Sequence, residues 1–179
     1  QFNQLNQIHQ CKTSLANSAG IINWPQSHGD FNRLGIALYG SHPSFPTEHT
    51  MKIKPVMTLT STIIGIRTLK KGDSVGYGET WQAERPSKIA TVAAGYADGL
   101  IRAMSDRATF WYDDTPCRLV GRVSMDLITV DVTDLTEIPH ALTLLGPQQS
   151  VDDLARAAGT IGYEILTSLG GRYTRRTTG

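Results

Sequence analysis

PVMTLTSTIIGIRTL, residues 55–69, followed at once by Lys70-Lys71-Gly72-Asp73, marks the point where the texture of this chain changes. The run is dense in Thr, Ile and Val, residues that fit a pleated, half-buried surface, and the glycine-containing turn closes it as a strand. Working towards the C-terminus, further strand candidates fall at 74–77, 88–94, 109–112, 117–122, 127–132 and 141–145, with Asp113-Asp114 as a hairpin tip. Short strands at this spacing predict an antiparallel barrel or sandwich. Ser150, followed by Asp152 and Asp153, then caps a helix that runs to Ala158 and stops at Gly159, and a second helix is expected over 163–169.

Working back from residue 55 the pattern differs. Phe2, Leu5 and Ile8 recur every third residue, as on the buried face of a helix. A β-like run over 13–16 leads through Asn17-Ser18-Ala19-Gly20 into a helical turn containing Ile21, Ile22 and Trp24 and closed by Pro25. A second apolar strand is expected at 35–40. Strand, helix, strand in so short a span reads as part of a parallel βα architecture. Residues 41–54, with Pro43, Pro46 and little periodicity, form the candidate linker. The fold class expected is therefore α/β plus all-β, with a βα fragment over 1–48 and a mostly β domain over 49–179.

Composition narrows the function. Seventeen basic and sixteen acidic residues are interspersed, so a nucleic-acid partner gets no support. No stretch approaches the roughly 18 apolar residues of a membrane span, and the N-terminus has no apolar signal core, so a cytoplasmic location is expected. Cys11 and Cys117 lack neighbouring cysteines and are expected to be buried thiols. His9, His28, His42, His49 and His140 never fall at a spacing that places two imidazoles on one face, so no metal site is indicated.

Several residues could carry chemistry. Asn17 and Ser18 sit where strand meets helix, so their polar groups would face an anion such as a phosphate, although a plain helix cap explains the same residues. Arg33 stands before a strand in which Gly35 would let a ligand approach the backbone, or it is simply solvated. Phosphate sites of βα barrels lie near the last strands, which favours the two together. Tyr77, between Gly76 and Gly78, is either a turn tyrosine or a poorly covered phenol. A free phenol titrates near about 10, so use as a base needs a positive neighbour or a hydrogen-bond relay. Residues 95–99 (GYADG), with Arg102 after them, read as a loop, and 121–126 (GRVSMD) as a strand bend facing an anion or as a bulge.

Taken in order, these motifs resemble the alanine racemase family. The matching runs are ANSAG (16–20), WPQSH (24–28), RLGIALYG (33–40), PVMTLTS (55–61), VGYGETW (75–81), GYADG (95–99), GRVSMD (121–126) and GYEILTSL (162–169). The WPQSH form is most like enzymes of Gram-negative bacteria. The resemblance implies the last part of a (β/α)8 barrel followed by a mostly antiparallel β-barrel or sandwich domain, pyridoxal 5'-phosphate as cofactor, alanine as substrate, and a homodimer whose protomers share each active site. It implies D-alanine supply for peptidoglycan as the role. A serine or broad-specificity racemase, or a non-catalytic dimerisation fragment, are the alternatives.

Residue by residue, the resemblance implies that Ser18, Gly35 and Ile36 hold the cofactor phosphate with Asn17 beside them, and that Arg33 contacts the pyridine nitrogen. An arginine there disfavours ring protonation and so restricts side reactions. Tyr77 matches the tyrosine that exchanges the α-proton on one face of the substrate, while the cofactor lysine serves the other. Met125 would bind the substrate carboxylate through its backbone N–H, and Tyr96, Arg102, Arg122 and Asp126 match residues around the substrate entrance. The family's lysine lies in a KAxxYG-type segment. None of Lys12, Lys52, Lys54, Lys70, Lys71 and Lys88 does. This chain alone is accordingly expected to be inactive, with the missing barrel half as its partner. Leu34 stands where the family usually has proline, and residues 169–172 offer no phenol at the position of an entrance tyrosine.

Overall fold

The computed structural model describes residues 1–43 and 52–178. Two compact units divide the chain, Gln1–Val56 and Met57–Gly179. The boundary expected between residues 48 and 49, and most of the linker expected over 41–54, lie outside the described residues.

In the first unit, helix α1 (Phe2–His9) ends at Gln10, whose left-handed backbone (φ 48°) turns its N–H onto the Asn6 carbonyl. Phe2, Leu5 and Ile8 do share one side of α1, but they are 40%, 59% and 73% exposed. Their period fits the helix, but their expected burial is corrected, because the first unit leaves each of them exposed. Cys11 is likewise exposed rather than buried. Beyond it, the Phe31 N–H donates to the Thr13 carbonyl at 3.0 Å and the Arg33 N–H to the Ala16 carbonyl at 2.8 Å. A parallel bridge joins Asn17 to Arg33. Between the paired segments runs α2 (Ser18–Asn23), followed by a 3-10 turn at Pro25–Ser27. This parallel return through a helix is the βα pattern expected. The apolar stretch expected as a strand over 35–40 is instead a 3-10 turn, Ile36–Tyr39, closed by Gly40 at φ 83°. Ser18 accounts for the difference: its hydroxyl accepts from the Gly35 and Ala37 amides, which therefore make no ladder bonds.

The second unit is a nearly closed antiparallel barrel. Its strands are β1 (Leu59–Leu69), β4 (Ser87–Val92), β5 (Thr109–Tyr112), β6 (Thr115–Arg118), β7 (Ile128–Asp131) and β8 (Ala141–Leu145), in the order β6-β5-β8-β1-β4-β7. A bridge between Leu119 and Val130, with the Val120 N–H on the Thr129 carbonyl at 2.9 Å, brings the last strand back to the first. The short ribbon β2 (Ser74–Val75) and β3 (Trp81–Gln82) stands outside that sheet. Long β1 serves both halves of the barrel, pairing β8 through its first residues and β4 through its last, with an irregularity between Ile63 and Gly65.

Inward-facing Val92, Phe110, Leu119, Ile128, Val130, Leu142 and Leu144 form a single core with Val151 and Leu154 of α3 (Val151–Ala158) and Ile165 of α4 (Gly162–Ser168). Burying one side chain of this size contributes about 1.5–3 kcal/mol, which is why α3 and α4 seat against the barrel. At 115–118 the strand starts earlier than expected, because Thr115 already pairs with Tyr112 across the hairpin tip, and beyond Arg118 the chain leaves β5 for the bridge to β7 before Gly121 at φ 77° turns it away. At 74–77 the strand stops at Val75, because Gly76 at φ 88° begins a turn.

Candidate functional site

Within the first unit, Ser18 is buried and its Oγ accepts from the Gly35 N–H at 2.9 Å and the Ala37 N–H at 3.4 Å. Asn17 caps α2, its Oδ1 accepting from the Gly20 N–H at 3.0 Å. The Arg33 guanidinium donates to the Leu15 carbonyl at 3.1 Å. A Cβ built on Gly35 would meet only Ser18 Oγ, at 3.8 Å, so the space above that glycine is open beside a buried hydroxyl. Because Ser18 Oγ accepts from two amides, its own O–H is left to donate, and no carboxylate is among the residues just named, an arrangement that suits an anionic oxygen group. The nearby acid Asp30 is engaged elsewhere. It accepts from the Thr13 N–H at 2.8 Å and the Thr13 hydroxyl at 3.0 Å, and these bonds, the backbone one foremost, hold its pKa below the ordinary value.

Within the second unit, Tyr77, Tyr96, Arg102, Val123, Ser124 and Met125 line one cavity of about 250 Å³. Tyr77 is carried on the turn after β2, between two glycines in the left-handed region, Gly76 at φ 88° and Gly78 at φ 76°. Gly76 lies back to back with Gly121: a Cβ on either would come within 3.1 Å of the other's Cα. That close crossing of two backbones sets the height of the tyrosine turn over the 121–126 loop. Arg122 flanks the turn, its Nη1 3.6 Å from where a Gly78 Cβ would sit. Tyr77 itself is 72% exposed, so its own unit supports the phenol without covering it.

The loop over 95–99 is fastened to the 121–126 loop by its backbone. Tyr96 N–H donates to the Ser124 carbonyl and Ala97 N–H to the Met125 carbonyl, both at 2.9 Å. Gly95 is required at this crossing, since a Cβ there would lie 2.2 Å from the Met125 carbonyl oxygen. Among the described residues the Met125 N–H makes no hydrogen bond, and Met125 lines the cavity. Of the residues singled out from the sequence, Tyr77, Tyr96, Arg102 and Met125 are thus brought together. Arg122 stands beside the turn, and Asp126 points instead to Arg172, whose Nη1 lies 2.7 Å from its Oδ1. The sequence reading assigned no role to Asp98 or Arg172. Asp98 could have been noticed from its place three residues after Gly95, where its carboxylate accepts from the Gly95 N–H at 2.8 Å.

Residues 56–177 match the profile of the alanine racemase C-terminal domain and residues 1–43 that of the alanine racemase N-terminal domain. The chain belongs to the alanine racemase family. It is 53% identical over 178 residues to the alanine racemase of Jannaschia sp., covering 99% of this chain and 50% of that one. The solved alanine racemase of Acinetobacter baumannii superposes with a TM-score of 0.91 at 41% identity, over 99% of this chain and 51% of its own. That of Bartonella henselae, described with covalently bound pyridoxal phosphate, superposes with a TM-score of 0.85 at 37% identity, over 98% of this chain and 51% of its own. This member therefore spans about half the length of the alanine racemases it matches. Alanine racemases are pyridoxal-phosphate-dependent, and the open space over Gly35 beside the Ser18 hydroxyl fits the phosphate of that group.

Proposed function

We propose that this chain is part of an enzyme that interconverts L- and D-alanine by a two-base mechanism with pyridoxal phosphate, in the cytoplasm, supplying D-alanine for peptidoglycan. The observation that carries the reading is the exposed Tyr77 phenol at the rim of a cavity that also presents Tyr96, Arg102 and the free Met125 amide.

When bound, pyridoxal phosphate supplies an electron sink that acidifies the α-proton of the amino acid. Ser18, Gly35 and Ile36 would hold its phosphate, with Asn17 fixing the helix start beside them, and Arg33 would contact its pyridine nitrogen. Met125 N–H receives the substrate carboxylate, while Tyr96, Arg102, Arg122 and Asp126 shape the approach. Tyr77 takes or returns the α-proton at its phenolic oxygen on one face. Racemisation needs an opposed group on the other face, and the lysine for that role comes from residues outside this chain. A phenol left 72% exposed by its own unit is suited to reach across to a second protomer, so a homodimer completes each site.

In the full-length enzyme, Tyr77→Phe should suppress α-deuterium exchange from one enantiomer by about 10²–10⁴-fold, the usual scale of one acid–base group, and from the other far less. Equal loss from both would count against the role. The 179-residue chain alone should neither take up pyridoxal phosphate in a form that borohydride makes permanent nor turn over alanine. Turnover together with permanent uptake would refute the need for an outside lysine.

A further inference from the structure

The Asp98–Arg172–Asp126 cluster lies outside the cavity lining and has no part in the proposed proton transfer. Arg172 Nε lies 3.3 Å from Asp98 Oδ1, and Arg172 Nη1 lies 2.7 Å from Asp126 Oδ1. Each carboxylate belongs to a different loop. Asp98 closes the 95–99 loop, its other oxygen accepting from the Gly95 N–H, and Tyr96 sits inside that loop. Asp126 directly follows Met125.

We propose that Arg172 is a positioning residue that clamps the Tyr96 loop to the Met125 loop and so fixes the Met125 amide that receives the substrate carboxylate. This rests on the alanine racemase reading for its effect on catalysis, but the clamp itself is a matter of geometry. The two arms are unequal. The Asp98 side chain is only 11% exposed, so its ion pair with Arg172 is shielded from water far more than that of Asp126, which is 52% exposed. The short Asp126 arm supplies direction: it pulls on the residue next to Met125. The hydrogen bond that Arg172 donates to Asp126, followed by the charge of Asp98, holds Arg172 above the ordinary arginine range, so the guanidinium stays charged at every working pH. Next along the chain, Tyr173 seats this segment. Its hydroxyl is shielded from solvent, and burial foremost pushes the phenol up to about 12. A planar guanidinium can serve two carboxylates at once, which a lysine ammonium on its single terminal nitrogen does less well.

The test uses the full-length enzyme with pyridoxal phosphate. Arg172→Met should raise KM for alanine about three- to tenfold with kcat within about twofold, because weakened carboxylate binding acts equally on ground and transition states. Arg172→Lys should recover part of the KM. A residue that merely supports folding would lower active enzyme and kcat while leaving KM alone. Unchanged KM in a folded, active Arg172→Met enzyme overturns the proposal, and if that variant does not fold, wild-type KM in Arg172→Lys overturns it instead. Hydrogen exchange gives an arm independent of activity: protection should fall in 95–99 and 124–126 and stay unchanged in β4 and β7. Should the wild-type protein turn over no alanine, the racemase reading fails, whereas the clamp stands or falls on that exchange pattern.

Discussion

Ser18 and Tyr77 sit in opposite surroundings. Ser18 is buried, and its hydroxyl is held by two backbone amides within the first unit. Tyr77 projects from a turn between two left-handed glycines, and the second unit leaves its phenol in solvent. The contrast follows the work proposed for each. A group that anchors a phosphate gains from being fixed before the ligand arrives, whereas a group that moves a proton on a substrate held elsewhere must project towards it. The supporting structures invert that order. The exposed tyrosine rises from a barrel with one large core and a smaller cluster of Leu69, Ala83, Ile89 and Val120 under the β2–β3 ribbon, while the buried serine lies in a unit whose buried apolar side chains, among the described residues, are Ala16, Ala19 and Ile36.

The largest expected effect tests that inversion. Phe110 is fully buried at the centre of the barrel core, and Phe110→Ala should lower the stability of the second unit by about 3–5 kcal/mol, the usual cost of deleting a buried aromatic ring. Urea melts of the 179-residue chain followed by hydrogen exchange would read it, with residues 1–43 keeping wild-type protection. A cost below about 1 kcal/mol would mean that the barrel core does not govern the second unit. Ser18→Ala comes next. It strips the acceptor from the Gly35 and Ala37 amides and should cost about 1–3 kcal/mol in local stability of the first unit, read as faster exchange at those two amides. Unchanged exchange would show that Ser18 does not pre-form the proposed phosphate site.

A smaller effect separates the units by pH. At the start of α3, the Ser150 and Asp153 side chains each accept from the other's backbone N–H, forming a capping box. Burial draws the Asp153 carboxyl up, but hydrogen bonds from Ser150 and Arg156 outweigh it and leave it below its ordinary value. Because the folded value is depressed, the stabilisation is fully present above the unfolded carboxylate value near about 4 and fades as pH falls through the folded value. Asp153→Asn should remove that part of the acid slope and cost about 0.3–1 kcal/mol at neutral pH, the lower half being favoured by its solvent exposure. A variant with the same acid slope as wild type would put the sensitivity elsewhere.

What could be read from the sequence divides along the same line. The barrel strands announced themselves because β-branched runs and turn residues are local signals, and the capped helix after Ser150 was legible for the same reason. The 35–40 stretch was misread because an apolar run is compatible with strand or turn, and the choice was made by a hydroxyl 17 residues away, on Ser18. Tyr77, Tyr96, Arg102 and Met125 could be named from family motifs, yet nothing local said that they would line one cavity. Arg172 had no signal at all, since its Asp126 partner is 46 residues distant and it stands close to Arg175 and Arg176 in a polar stretch that looks solvated. Long-range polar pairs leave no period in a sequence, and this is why the pairing of Arg172 with Asp98 and Asp126 is visible only in the fold.

The smallest expected effect concerns α1, and its value lies in being small. Leu5 lies on the apolar side of that helix and is 59% exposed, so Leu5→Gln replaces an exposed apolar group by a polar one of similar helix propensity. In the 179-residue chain the change should stay within about 0.5 kcal/mol, as for surface substitutions away from special features. The periodicity of Phe2, Leu5 and Ile8 argues the other way, because an apolar stripe at helical spacing usually marks a buried face. The same substitution in the full-length protein decides between these readings. A cost of about 2–5 kcal/mol there, against almost none in the short chain, would show that the stripe is a packing surface whose counterpart lies outside this half. Equal, small costs in both would make the stripe solvent-facing and would leave the first unit's stability to interactions away from it, among them the Ser18, Asn17 and Asp30 hydrogen bonds.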